Sequence, residues 1–262
     1  KQKTAYEIRN CDWSSDVCSS DLYSSTQPIL DLTNEVIAGS LRSHEKNLYS
    51  RLPSDQKPVY IETFSENEQS RFVVQRVLEL REEGVPLNEI AVLFRNGWHS
   101  NDLEVELSAA GIPFIKHGGM KFVEAAHIKD IMAHLRVCHN PMDSVSWLRI
   151  LLLLEGIGPR TASDIIEKVL SEGGDFKALT HQDYEKKKFF SVLEQLSEAL
   201  ISVRDCQGDL GAKVLIIDNY YRPILKTHYD DFNKRLPDID SFEAIADRYK
   251  GDRKSTRLNS SH

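Results

Sequence analysis

The hydrophobic period of this chain changes near residue 122, and this change constrains the fold more than any other feature of the sequence. Before that point, short apolar runs alternate with helical stripes. The run 90–94 (IAVLF) is continuously apolar, which is typical of a strand buried on both faces. Further strands are predicted over 59–64 and 112–115, and helices over 28–40, 72–80 and 100–110. This alternation predicts a parallel or mixed α/β layer through about residue 121.

After residue 122 the strand signal fades and only helical spacing remains. Helices are predicted over residues 122–137, 143–154, 160–170, 184–203, 210–221 and 239–249. The predicted fold class is therefore α/β followed by all-α. We place one domain at residues 23–121 and a helical domain at residues 122–251.

The two ends of the chain follow neither pattern. Residues 12–22 (DWSSDVCSSDL) and 252–262 (DRKSTRLNSSH) are rich in serine and have no hydrophobic period. The nucleotide string GACTGGAGTTCAGACGTGTGCTCTTCCGATC encodes the first stretch through Asp21, and its reverse complement encodes the second through Ser261. Both stretches resemble a sequencing-library adapter read in translation. We therefore leave residues 1–22 and 252–262 out of the predicted fold and expect the remainder to be an internal segment of a longer chain.

The composition narrows the choice of partners. A formal net charge of -7 argues against a surface that binds nucleic acid as a uniform polycation, but it leaves a local basic site open, so charge alone decides nothing about DNA binding. No apolar run approaches the roughly 20 residues of a membrane helix and no signal peptide opens the chain, so we expect a cytoplasmic protein without a membrane partner.

The cysteines and histidines do not form a familiar metal-binding pattern. Cys138 and Cys206 remain once the two end stretches are set aside, and neither belongs to a CxxC pair. His134 and Cys138 lie four residues apart on one predicted helix face, a spacing that can hold a metal ion but more often belongs to an ordinary helix. We expect no metal site.

The segment 154–161 (LEGIGPRT) joins two predicted helices and is the strongest candidate in the sequence for contact with a ligand. Gly156 and Gly158 allow the backbone to approach a ligand closely, and the helix that follows would present free N–H groups to a phosphate. Arg160 would add positive charge. The pattern predicts contact with the DNA backbone without base readout; a plain turn between helices is the alternative.

The sequence contains no complete site for binding and hydrolysing a nucleotide. No G-x-x-x-x-G-K-[ST] phosphate loop occurs, so we expect no ATP hydrolysis and no bound cofactor for the chain alone. Trp98 lies in a glycine-containing loop, where stacking on single-strand bases and packing in the core are equally open alternatives. Trp147 lies in an apolar helix, which favours a core position.

Six stretches, taken in order, resemble the UvrD/PcrA/Rep helicases of superfamily 1. They are 23–30 (YSSTQPIL), 90–96 (IAVLFRN), 111–114 (GIPF), 118–130 (GGMKFVEAAHIKD), 156–161 (GIGPRT) and 237–249 (PDIDSFEAIADRY). The resemblance implies that residues 23–121 are the first part of the second RecA-like motor domain. It also implies that residues 122–251 are the helical insertion that grips duplex DNA.

The resemblance assigns roles to particular residues. Tyr23 matches the tyrosine that stacks on the adenine of ATP, and Arg95 matches an arginine that contacts single-stranded DNA, with Asn96 and Trp98 beside it. The duplex-contacting loop is matched by Gly156, Ile157, Gly158, Arg160 and Thr161. Three positions depart from the family pattern: Ser24 and Ala125 stand where arginines are usual, and the asparagine of Arg-x-Asn is displaced by one residue to Asn96.

The resemblance also implies an activity for the parent protein. It would couple hydrolysis of ATP, with Mg²⁺, to 3′ to 5′ movement on single-stranded DNA at a duplex junction. This segment would supply one wall of the ATP cleft, and the N-terminal motor domain and C-terminal remainder of the same chain would supply the rest. Two alternatives remain, a non-catalytic DNA-binding module of a helicase-like or nuclease-fusion protein and a structural helical scaffold.

Overall fold

The structure, a computed structural model, describes residues 25–39, 47–52, 54 and 56–249. Within these residues it contains nine α-helices and no β-strand. The chain divides into two compact units, one ending at Thr63 and the other starting at Phe64. The helices are α1 (Gln27–Ala38), α2 (Glu66–Glu82), α3 (Asn101–Ala109), α4 (Ala126–His139), α5 (Ser144–Leu151), α6 (Pro159–Ser171), α7 (Phe190–Asp205), α8 (Leu210–His228) and α9 (Phe232–Arg248).

In the first unit, amide side chains of α1 hold a short extended segment. The side chain of Asn34 accepts from Leu48 N–H at 2.9 Å and donates to Leu48 O at 2.8 Å. Gln27 Oε1 accepts from Ser50 N–H at 2.8 Å. Helix α1 itself begins with Pro28 in its first turn, where a missing N–H costs nothing, as the sequence predicts.

The structure does not confirm the three predicted strands. Residues 59–64, 90–94 and 112–115 belong to no strand in the described part of the chain, so the α/β half of the predicted fold is not confirmed. The expectation that 90–94 is buried on both faces is wrong, since Leu93 is 92% exposed and Val92 41%. An apolar run marks a segment with strand propensity, but a strand forms only where a neighbouring backbone accepts its hydrogen bonds.

Helices α2 and α3 open the second unit, and a buried carboxylate connects them to the rest of it. Val77, Leu103, Leu107 and Ile112 form a small apolar cluster between them. Glu104 of α3 accepts from Lys116 Nζ at 2.7 Å and from Phe122 N–H at 2.7 Å. These bonds fix the segment that leads into α4.

Helices α4 to α9 form the main core, as the helical spacing after residue 122 predicts. The largest apolar cluster is built from α4, α5, α6, α7 and the 3₁₀ turn Phe176–Thr180. Trp147 is fully buried there, with its Nε1 donating to Pro141 O at 2.8 Å, which confirms its predicted core position. A second cluster joins α4 to α8 and α9 around Ile217, Tyr221 and Ile239.

Helices α8 and α9 are longer than predicted, and both contain an internal proline. The predicted α8 ended at residue 221, just before Pro223, and the predicted α9 began at residue 239, just after Pro237. In the structure both prolines lie inside their helices. Packing of the apolar faces therefore outweighs the loss of one N–H donor per helix.

A pair of carboxyl groups lies between α8 and α9. Asp218 is 1% exposed and pairs with Arg222, which also contacts Asp240 at 2.9 Å. Burial, followed by the neighbouring carboxyl group of Asp218, raises the pKa of Glu243 to about 7. Asp218 Oδ1 and Glu243 Oε1 are buried and have no hydrogen-bond partner among the described residues, so a proton on Glu243 lowers the cost of burying the two acids together.

This pair makes the stability of the second unit depend on pH. The raised pKa of Glu243 means that its contribution to stability is complete below about pH 4.5 and is lost as the pH rises through 7. We expect Glu243→Gln, which is neutral at every pH, to raise the free energy of unfolding at pH 8 by about 1 kcal/mol, a value reduced for the partial exposure of Glu243. Urea denaturation at pH 8 and pH 4.5 measures it.

The same denaturation series contains its own control. Glu198→Gln removes an equal charge from an exposed site on α7 and should leave stability unchanged at both pH values. A gain in Glu243→Gln that is the same size at pH 4.5 as at pH 8 would contradict the raised pKa of Glu243.

Candidate nucleic-acid interface

The loop between α5 and α6 is anchored by its apolar residues and exposes its polar ones. Leu154 and Ile157 are each 6% exposed and belong to the main core. Gly156, between them, has φ of +81°, which an L side chain rarely adopts. The glycine thus lets the chain turn outward and return within three residues, so that the loop backbone meets solvent.

Gly158 differs from Gly156, because its backbone conformation suits any residue. It caps α6 with φ of −93° and ψ of 174°, and an added Cβ would meet no atom within 4 Å. Glycine is therefore not required here by folding. Its small size matters only if another molecule approaches the exposed backbone at this point.

The start of α6 presents free hydrogen-bond donors. Pro159 has no N–H, and Ala162 N–H donates to Gly158 O at 2.9 Å. No described residue accepts from the N–H groups of Arg160 and Thr161. The guanidinium of Arg160 is exposed and forms no ion pair within the described ranges, and the first turn has no acidic residue. Free N–H donors, a helix N-terminus and an arginine side chain together favour the binding of an anion such as phosphate.

A second candidate site lies at the turn 95–98. Arg95 and Asn96 are exposed, and Trp98 is 38% exposed in the 3₁₀ turn Gly97–Ser100. Asn96 N–H donates to His99 Nδ1 at 3.3 Å, and the Trp98 and His99 rings lie 3.8 Å apart. The structure therefore brings Arg95, Asn96 and Trp98 together in one exposed turn, on a different segment from the α5–α6 loop.

Comparison with known proteins shows the family to which the chain belongs. The family model described as the UvrD-like helicase C-terminal domain matches residues 21–256, which is most of the chain. The chain belongs to the UvrD-like helicase C-terminal domain family. The match contains both the α5–α6 loop and the turn 95–98.

Curated relatives of this UvrD-like domain are DNA helicases by name. The ATP-dependent DNA helicase UvrD1 of Mycobacterium tuberculosis is 30% identical over 245 residues, covering 89% of this chain and 32% of the relative. The ATP-dependent DNA helicase PcrA of Staphylococcus aureus is 26% identical over 237 residues, covering 87% of this chain and 32% of the relative. The chain thus spans about a third of the length of these relatives.

The structure does not place the remaining candidate residues from the sequence in a binding site. Tyr23, the candidate adenine-stacking residue, lies outside the described residues. His134 is fully buried on α4 with its Nδ1 2.8 Å from Asp130 O, and burial lowers its pKa to about 4. Burial raises the pKa of Cys138 to about 12. Across the residues the structure describes, no three His, Cys, Asp or Glu side chains are grouped to hold a metal ion.

Among the described residues, no helix has the length and apolar character needed to cross a membrane. The segment 182–189, most of which was predicted to be the start of a helix over 184–203, is a turn that passes beside Gly156 and carries three consecutive lysines. The lysine run is visible in the sequence, but its position next to the loop is not.

Proposed function

We propose that this chain is a segment of an ATP-dependent DNA helicase that moves 3′ to 5′ and that it supplies contacts to both single-stranded and duplex DNA. Membership of the UvrD-like family and the names of the relatives support DNA as the partner. In this proposal residues 23–121 belong to the second motor domain and residues 122–251 to the helical insertion. ATP and Mg²⁺ would bind in the cytoplasmic parent, with Tyr23 in one wall of the cleft and the other motor domain opposite.

The α5–α6 loop is the observation that carries the duplex assignment. Two N–H groups and one guanidinium that have no partner among the described residues lie within two consecutive residues, Arg160 and Thr161. Gly156, Ile157 and Gly158 present them on an exposed backbone that is fixed to the core. Such donors contact phosphate oxygens and read no bases, so the proposed binding is independent of sequence.

The turn 95–98 is the proposed single-strand site. An exposed arginine next to a partly exposed tryptophan combines a phosphate contact with a surface on which a base can stack. Asn96 would assist through its exposed amide. The two sites lie on separate segments, so their affinities can be changed independently.

Duplex binding by the loop can be tested with variants that do not disturb folding. Gly158→Thr adds a β-branched side chain at a position with ordinary backbone angles, and threonine caps a helix about as well as glycine. We expect weaker duplex binding at an unchanged thermal midpoint. Arg160→Ala should lower the slope of log K against log salt by about one unit. Fluorescence anisotropy of labelled duplex over a salt series measures both.

Two control variants separate this result from general damage. Gly119→Thr makes the same change in another loop, where φ is also not positive, and should leave duplex affinity unchanged. Arg95→Ala should weaken binding of a labelled single strand and leave duplex binding as in the wild-type chain. Equal duplex affinity for the wild type, Gly158→Thr and Arg160→Ala would reduce the loop to a turn between helices.

A further inference from the structure

The turn 182–189 lies directly against the α5–α6 loop. It connects the 3₁₀ turn Phe176–Thr180 to α7. A Cβ placed on Gly156 would lie 3.7 Å from Phe189 Cβ, so the backbone of the loop and the end of this turn are in van der Waals reach of each other. The prediction began α7 at residue 184, and the structure shows a turn there instead.

This turn carries three exposed cations. Lys186, Lys187 and Lys188 are all exposed, and no residue in the described part of the chain forms an ion pair or a side-chain hydrogen bond with them. Acidic side chains also lie nearby: Asp183 and Glu185 precede the lysines, Asp183 lies 2.9 Å from His181 Nδ1, and the charges of Asp164 and Glu172 act on Tyr184 of the same turn. Unlike His181, which pairs with Asp183, the three lysines have no ion-pair partner in the described part of the chain, so their charges are available to an anionic ligand.

The turn and the loop are held by the same core. Tyr184 and Phe189 pack against the main apolar cluster with their ring centroids 6.3 Å apart. Lys187 N–H donates to Tyr184 O at 2.8 Å, and Phe190 N–H donates to Lys187 O at 3.1 Å. Leu154 and Ile157, which anchor the loop, belong to the same cluster. The lysine patch is consequently fixed relative to Arg160 rather than carried on a free segment.

The turn and the loop lie close enough together to contact the same duplex. Consecutive Cα atoms are about 3.8 Å apart, so Lys188 begins one residue from the contact with Gly156. Duplex DNA carries one charge for about every 1.7 Å of its axis, so phosphates beside the loop lie within reach of lysine side chains on the turn. A lysine amine is a point charge on a flexible stem and needs no particular base.

We propose that Lys186, Lys187 and Lys188 form a second phosphate-binding element that holds the same duplex as the α5–α6 loop. This inference rests on the proposed function, because the loop must bring the duplex to the turn. The lysines add salt-dependent affinity and no sequence preference. The loop donors set the position of the backbone, and the lysines lengthen the contact along it.

The test uses the full 262-residue chain and a labelled duplex at salt concentrations from about 50 to 200 mM. The triple variant Lys186→Gln/Lys187→Gln/Lys188→Gln should lower the slope of log K against log salt by about 2 to 3 units and weaken binding about tenfold or more at the low-salt end. A second triple variant, with arginine at the same positions, should keep the wild-type slope because the charges remain.

A matched control removes the same charge elsewhere. Gln at Lys129, Lys226 and Lys234 neutralises three exposed lysines on α4, α8 and α9, which do not carry the loop or the turn. Its slope should stay close to that of the wild-type chain. An equal loss in this control would overturn the inference, because the effect would then follow total charge.

The loop variants separate the inference from the proposed function. If Gly158→Thr and Arg160→Ala weaken duplex binding but the lysine variant keeps the wild-type slope, the second phosphate-binding element is refuted and the loop assignment stands. If the wild-type chain itself does not bind duplex, the proposed function fails, and the inference that depends on it fails with it.

Discussion

Replacing Asp130 by alanine should lower the free energy of unfolding of the second unit by about 3 to 5 kcal/mol, since it breaks a buried charged network. Asp130 is 1% exposed on α4. Its carboxylate accepts from Tyr221 Oη at 2.6 Å and from Arg149 Nε at 2.7 Å, with Tyr229 Oη at 3.4 Å. The substitution leaves a buried hydroxyl and a partly buried guanidinium without their acceptor.

Urea denaturation followed by circular dichroism measures this loss, and two variants show where it comes from. Asp130→Asn keeps one acceptor oxygen and should cost less than alanine. Glu167→Ala removes an exposed acid from α6 and should change stability by less than about 0.5 kcal/mol. If Asp130→Ala cost no more than Glu167→Ala, the network would not connect α4 to α5 and α8 as the structure shows.

The two tryptophans of the second unit should respond very differently to truncation. Trp147→Ala is expected to cost about 3 to 5 kcal/mol of stability, because the indole is fully buried and a cavity would remain. Its ring packs edge-on against Phe176 at 6.0 Å between centroids, and its N–H bond to Pro141 O would also be lost. Thermal and urea denaturation of the whole chain measure the difference.

Trp98→Ala is the matched comparison, because it removes the same side chain from the exposed turn 95–98. Its cost in stability should stay below about 1 kcal/mol, whereas its affinity for a labelled single strand should fall if bases stack on the ring. Similar stability losses for Trp147→Ala and Trp98→Ala would contradict the burial difference between the two sites.

Helices were predicted well from the sequence, because helical order is local. Each of the nine helices in the described part of the chain overlaps a predicted one. Capping side chains support several of their starts, such as Asp143 before α5, whose carboxylate accepts from Ser146 N–H at 3.0 Å. The largest errors in length occur at Pro223 and Pro237, where local propensity favours a break, and smaller errors occur at the starts of α2 and α7. Contacts of α8 with α4 and α9 decide otherwise, and no local pattern contains them.

The predicted strands show the opposite case. The run 90–94 has the composition of a buried strand, yet it is largely exposed and unpaired in the described part of the chain. Strand formation depends on which backbone lies alongside, and a run of apolar residues does not specify that neighbour. The composition was informative about propensity and misleading about burial.

The candidate sites also differ in whether consecutive residues or tertiary contacts reveal them. The glycine spacing and the helix start identified residues 156–161, because a turn and a helix N-terminus are properties of a few consecutive residues. Family resemblance pointed to Arg95 and Tyr23 by order of motifs. The neighbourhood of Lys186–Lys188 and Gly156 came from the packing of Phe189 against the loop, a contact between residues far apart in the chain.

Local chemistry therefore established most of the helices, the exposed loop and its free N–H donors, since each depends on residues within about one helical turn. Tertiary packing decided the rest. It buried Trp147, extended α8 and α9 through their prolines, placed Asp218 against Glu243 and brought a lysine turn beside the loop. These outcomes depend on which distant surfaces meet, and burial of apolar area across the whole core determines that choice.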